Sequence, residues 1–393
     1  MTKKKITLFI SIVLILAAAG VLSACSSKKE SGQQAEKTTT EAKKSETERL
    51  LEELTLEEKV AQMFFITPEQ LTGYGQVVQA GETTKKALEQ YPVGGLILFA
   101  QNIENDEQLK NMMADLKQIN DSQRSLPLFL AIDEEGGEVA RIANSGKCQV
   151  EKTPYISQLG KKGKEDVEEA ASYIGSYLKE YGFNVNFAPV ADISNENTAG
   201  ILKNRTFASD PNTVAECVTA YLKGLEGEGI LGTVKHFPGQ GSVKQDTHVE
   251  SGYIEKSFEE MMDTDLVPFK KAIEANVSLI MVSHMVPGGA DSKELPSSMN
   301  QKVVKDLLRE EMGYENLVIT DAFNMEAISN HYSSSEAAVQ AIQAGVDIIL
   351  MPADFTSAYA GVLQAVKDGT ISEKRIDESV ERIIQIKMKN IMG

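Results

Sequence analysis

The sequence predicts an α/β fold: a closed (β/α)8 barrel of the TIM type, one domain behind a leader and a tether. Two observations predict it. Eight short apolar or β-branched runs alternate with longer stretches of helical character, the pattern of parallel strands returned by crossover helices. Five of those runs carry a charged or imidazole side chain at or beside their C-terminal end, and a closed parallel barrel gathers its strand ends on one face.

In chain order the runs are MFFIT (63–67), GGLILF (94–99), LFLAID (128–133), NVNFAPVADI (184–193), GTVKH (232–236), SLIMVSH (278–284), LVITD (317–321) and VDIILMP (346–352). The intervening helices carry their own signals. Thr55 and Glu58 are spaced for a capping box at the start of the first. Ile376, Val380, Ile383, Ile384 and Met388 recur at helical spacing in the last. No second compositional break follows Leu50, so residues 50–393 read as a single large domain.

What precedes Leu50 is of another kind. Lys3, Lys4 and Lys5 lead into the apolar run Ile6–Leu22 and then LSAC (Leu22–Cys25), which together read as an export signal. An uncleaved anchor is the alternative, because seventeen residues just span a bilayer. LSAC resembles the lipobox of bacterial lipoproteins. That resemblance implies removal of residues 1–24, a diacylglyceryl group on Cys25, and a chain held by lipid at the outer face of the cytoplasmic membrane. Residues 26–49 contain no large apolar side chain and bury too little surface to offset their ordering entropy, so 25–49 reads as a lipidated cysteine and a disordered tether.

The formal net charge of −17 argues against nucleic acid as a partner, since an acidic body repels phosphodiester backbones. Cys148 and Cys217 lack metal-type spacing and read as buried free thiols, with a disulfide between them as the alternative in an exported protein.

The polar strand ends are Asp133, Asp192, Lys235 with His236, His284, and Asp321. After the fifth run comes KHFPGQGSVKQDTH (235–248), in which Pro238, Gly239 and Gly241 forbid a helix and favour a shaped loop. LTLEEKVAQMF, DEEGGEVARI, NFAPVADI, NRTFASDP, this loop, MVSHMVP and VITDAFNM together resemble a family 3 glycoside hydrolase, most of all its β-N-acetylglucosaminidases, from Leu50 to the end. The chain is similar to the form of that family without a second, sandwich-like domain.

The resemblance implies a retaining exo-β-N-acetylglucosaminidase that removes terminal N-acetylglucosamine through a glycosyl-enzyme; the export signal points to cell-wall glycan fragments as substrate, and the His, Asp and Glu spacings, explained by sugar and proton chemistry, imply neither metal nor organic cofactor. Asp321 matches the nucleophile, a role that suits an aspartate held at a strand end. Asp246 and His248 match the acid/base pair, with His248 exchanging the proton near neutrality and Asp246 orienting it. Asp133, Arg141, Asp192, Arg205, Lys235, His236 and His284 match the sugar-binding wall, although Arg141 and Arg205 equally suit structural ion pairs. His331 has no assigned role. Glu134 and Glu138 stand where many members have other residues, which makes the region after the third run more acidic; Gln240 and Ser242 depart likewise in the loop. A β-glucosidase and a phosphorylase of the same family are alternatives. A lipid-anchored solute-binding protein is the non-enzymatic one, and it predicts two lobes in place of a barrel.

Overall fold

The computed structural model describes residues 44–392, apart from 196, 197, 199, 201, 241–251, 290 and 291. Cys25, the leader and most of the tether fall outside the described residues, as do Asp246 and His248.

Each of the eight runs contains a strand: β1 Phe64–Ile66, β2 Gly95–Leu98, β3 Phe129–Ile132, β4 Val185–Asn186, β5 Leu231–Phe237, β6 Leu279–Val282, β7 Leu317–Thr320 and β8 Ile349–Leu350. They pair in chain order and all in parallel, from β1 with β2 round to β6 with β7, while β8 returns to β1 through Phe64 opposite Ile349. A parallel bridge between Ile319 and Ile348 joins β7 to β8 and closes the barrel. The (β/α)8 expectation holds, and the two-lobed alternative does not.

Helices fill the crossovers, among them Asp106–Asp121, Lys164–Tyr181, Pro211–Gly227, Val267–Glu274 and Ser334–Ala344. The capping box forms as the spacing requires: the Thr55 hydroxyl accepts from the Glu58 amide at 3.2 Å, and Glu58 Oε2 accepts from the Thr55 amide at 2.9 Å. In the last helix, Glu373–Asn390, the stripe Ile376, Val380, Ile383 and Ile384 is fully buried against the barrel. Within the barrel the rings of Phe65, Phe129 and Phe187 pack together, with centroids 5.4 and 6.4 Å from that of Phe65.

Two boundaries move. The tether ends sooner than its composition suggests, because Ser45 and Glu48 form a second capping box that starts the helix Glu46–Glu53. That helix buries Leu50 and sets the Thr47 hydroxyl against Met388 Sδ at 3.7 Å, so residues 44–49 belong to the folded unit. The long fourth run splits: only Val185–Asn186 is strand, and Pro189, which has no amide to donate, interrupts the ladder before Val190 bridges to Lys235. Cys148 and Cys217 are unpaired; Cys217 is buried, whereas Cys148 is half-buried.

Candidate active site

The strand ends open into a cavity of about 450 Å³. Its floor is apolar and comes from the barrel interior, with Ile97, Phe187, Met281 and Leu350. Its wall is charged. Lys235, 3 % exposed, points its ammonium between two carboxylates, Asp133 Oδ1 at 2.8 Å and Glu135 Oε1 at 2.7 Å. On the far side of Glu135, Arg205 makes a two-pronged contact, Nε to Oε2 at 2.8 Å and Nη2 to Oε1 at 2.7 Å. On the far side of Asp133, Arg141 Nη2 stands 3.8 Å from Oδ2, with its guanidinium over the Phe99 ring. The wall is therefore a row of five charges alternating in sign.

Such a row stays ionised despite burial. Burial opposes the charge of Glu135, but Arg205 and Lys235 hold its carboxyl well below the usual carboxylate range. Burial alone would lower Lys235; Asp133 and Glu135 outweigh it and raise the ammonium above its ordinary value.

Beside Lys235, and joined to it by a cis peptide, His236 also faces the cavity. Its Nδ1 lies 2.7 Å from Asp192 Oδ2, and because a carboxylate only accepts, Nδ1–H donates. Asp192 Oδ1 accepts the Gln240 amide at 2.7 Å, which ties the start of the following loop to the same carboxylate. Gly239 carries φ +128°, a conformation that disfavours any side chain, and lets the turn lie against Asp265.

Asp321 follows β7. Its amide donates to Val282 O at 2.8 Å, and its Oδ1 accepts the Ala322 amide at 2.8 Å, which fixes the carboxylate at the strand end. Enclosure pushes its pKa up, but His236, His284, the Ala322 amide and Lys235 outweigh that, and the net shift is downward. His284 acts from behind: Nε2 donates to Ala322 O at 3.0 Å and Nδ1 meets the Ser298 hydroxyl at 2.9 Å. A fixed, ionised carboxylate facing alternating donors and acceptors is suited to a ligand rich in hydroxyls.

Residues 55–386 match the family described as "Glycosyl hydrolase family 3 N terminal domain". The chain belongs to glycosyl hydrolase family 3. It is similar to Beta-hexosaminidase A of Pseudoalteromonas piscicida, 32 % identical over 77 % of this chain and 54 % of that protein. It is also similar to a Beta-hexosaminidase of Nitrosomonas eutropha, 33 % identical over 70 % of this chain and 78 % of that protein. A solved family 3 beta-N-acetylglucosaminidase from Paenibacillus sp. superimposes with a TM-score of 0.80 at 34 % identity, covering 86 % of this chain and 63 % of the other. The chain thus spans little more than half of the Pseudoalteromonas relative and under two thirds of the Paenibacillus structure.

Within this family 3 barrel, Asp133, Arg141, Arg205, Lys235, His236 and Asp321 all line the one cavity. Asp192 and His284 do not line it, contrary to expectation. Both are buried, at 0 % and 1 % exposed, and they hold His236 and the Ala322 backbone from behind. Arg205 forms the structural ion pair, with Glu135, and also borders the cavity.

Glu134 lies away from the cavity. It accepts the amides of Ile142 and Ala143 at 2.8 and 2.9 Å and the Tyr177 hydroxyl at 2.8 Å, and burial raises its pKa. Glu135, in the wall between Lys235 and Arg205, is not singled out by the strand-end pattern, although it stands two residues beyond Asp133, the spacing at which an extended chain returns to one face. Phe99 and Met281 were missed too, inside runs read only as strand.

Proposed function

We propose that the chain is a retaining, exo-acting β-N-acetylglucosaminidase. The observation that carries this reading is the pairing, in one cavity, of an ionised, backbone-fixed Asp321 with a wall of alternating charges suited to sugar hydroxyls. Asp321 attacks the anomeric carbon while the terminal sugar rests against Asp133, Glu135, Lys235, Arg205 and His236, and water later releases the glycosyl-enzyme. His248, oriented by Asp246, donates the proton to the departing oxygen; that assignment rests on the sequence motif, since both residues lie outside the described ones. The names of the relatives, hexosaminidases and an N-acetylglucosaminidase, support the choice of sugar. Cell-wall glycan fragments are the proposed source, and Cys25 the proposed lipid anchor at the outer face of the cytoplasmic membrane. The leader motif supports this, and fractionation of Cys25→Ala, expected to leave the membrane, tests it.

A second reading of the proton donor is favoured by the 2.7 Å contact between His236 and Asp192, an imidazole–carboxylate pair at the cavity wall. Leaving groups separate the two. A variant lacking the general acid loses most kcat/KM on poor leaving groups and little on nitrophenolate-type ones, whereas a variant lacking a binding residue loses alike on both. His248→Ala is expected to show the first pattern across aryl N-acetylglucosaminides of graded leaving-group pKa, and His236→Ala the second. The reverse result would move the acid role to His236.

A further inference from the structure

We infer that Glu138 selects the leaving portion of the substrate by charge, favouring a neutral or cationic aglycone over one that carries a free carboxylate beside the scissile bond; among cell-wall fragments this favours a muramyl unit whose lactyl carboxyl is held in an amide to a peptide over one whose carboxyl is free. The inference rests on the glycosidase reading above and deepens it.

Glu138 sits in the turn of a short ribbon that follows β3, formed by Glu134–Gly136 against Val139–Ala140. It borders the same cavity as Asp321 and Lys235 but is exposed, whereas Glu135, Lys235 and Arg205 are 1 %, 3 % and 7 % exposed. Glu138 therefore stands at the mouth, and Glu135, Lys235 and Arg205 at the closed end. In an exo-acting cavity the closed end receives the terminal sugar, so the group at the mouth is the aglycone.

Among the described residues the charge at the mouth is unspent. Asp133 and Glu135 face Lys235, and Arg205 and Arg141 pair on their outer sides. Among the described residues Glu138 forms no ion pair. Arg141, the other charge toward the mouth, is already beside Asp133 and stacked on Phe99.

The turn that carries Glu138 is also held in place. Asn144 Nδ2 donates to the carbonyls of Gly137 and Glu138 at 2.9 and 3.2 Å, and the Gly137 amide donates to the Thr153 hydroxyl at 3.2 Å. Gly137 has φ +58°, and a Cβ there would come 2.6 Å from Tyr155 Cα, so the ribbon lies against that segment as only glycine permits. The backbone is thereby fixed, so the Glu138 carboxylate stays at the rim of the cavity whichever rotamer its side chain takes. The surrounding chain, at −17, has the same sign.

The test uses N-acetylglucosaminyl-β-1,4-N-acetylmuramic acid, its methyl ester, and chitobiose, with kcat/KM measured at low and at high salt. The acid and its ester share one bond and nearly one shape and differ by one charge. The parent is expected to prefer the ester and chitobiose to the acid, and Glu138→Gln to shrink the ester-to-acid ratio about fivefold at low salt, as one like-charge contact at a half-solvated rim implies. Glu138→Arg should reverse the ratio, and high salt should compress it in the parent. An ester-to-acid ratio that is the same in all three proteins would overturn the charge selection while leaving the glycosidase reading intact. Failure of the parent to cleave any of the three would overturn both.

Discussion

His236 Nδ1 and Asp192 Oδ2 lie 2.7 Å apart, the ring at the cavity and the carboxylate buried behind it. Asp192 takes two donors, His236 Nδ1–H and the Gln240 amide. An asparagine offers one acceptor oxygen, so Asp192→Asn sets one of those donors against an NH2 group. The expected result is a loss of about 1–3 kcal/mol of stability, seen as a lower thermal midpoint. The fall in kcat/KM should be similar for good and poor leaving groups. A variant that melts and turns over like the parent would show that Asp192 holds nothing in place.

Asp321→Asn keeps the shape of the side chain and removes its charge. Turnover should drop by several orders of magnitude while the product sugar still binds. Because the carboxyl is held below its ordinary value, the acid limb of kcat/KM in the parent should fall below the usual aspartate range near pH 3.9. A fluorinated sugar with a good leaving group should label Asp321, and mass spectrometry placing the adduct on another carboxylate would reject the nucleophile.

Glu135→Gln leaves Lys235 and Arg205 buried with one neutral neighbour where a shared anion stood. Breaking such a group costs about 3–5 kcal/mol. The folded pKa of Glu135 is depressed, so its contribution is present above the unfolded carboxyl value and is lost as pH falls through the folded one. Urea midpoints of parent and variant should therefore differ at neutral pH and converge in strong acid. Parallel curves across the whole range would argue against an ionised Glu135.

Lys387, on the last helix, is buried with its ammonium 2.8 Å from Gln62 Oε1 and over the Phe129 ring, and burial pushes its pKa down to about 7. Between that value and the ordinary 10.5 the unfolded chain binds a proton that the folded one does not. Stability thus falls as pH drops through this window, by about 5 kcal/mol in all. Lys387→Met should raise the thermal midpoint by several degrees at pH 7 and by less at pH 10. A midpoint gain independent of pH would mean that the charge is not the cause.

Much of this architecture is legible in the linear chain, because each strand is an apolar run and the barrel follows from eight of them in alternation. Asp321 and Lys235 were readable for the same reason: a charged residue ending such a run has one place to go. Glu135 was not, since seeing it requires carrying the two-residue period past Asp133 into a stretch of glycines and acids. Its partner Arg205 lies seventy residues away, a pairing that only the closed barrel creates. Asp192 and His284 mark the limit of strand-end reasoning, which places a residue at the rim without saying which way its side chain turns. The helix Glu46–Glu53 is hard to see in the sequence because its glutamates and threonine resemble those of the tether; the Ser45 cap and the single buried Leu50 are what distinguish it.

The row Arg141, Asp133, Lys235, Glu135, Arg205 presents a donor, then an acceptor, then a donor again. A hydroxyl both gives and receives a hydrogen bond, so it can bridge any two neighbours in that row. A free ion placed there gains from one neighbour and is repelled by the next. On the proposed reading the wall is a ruler graduated in hydroxyl spacings, better matched to the oxygens around a sugar ring than to a lone ion.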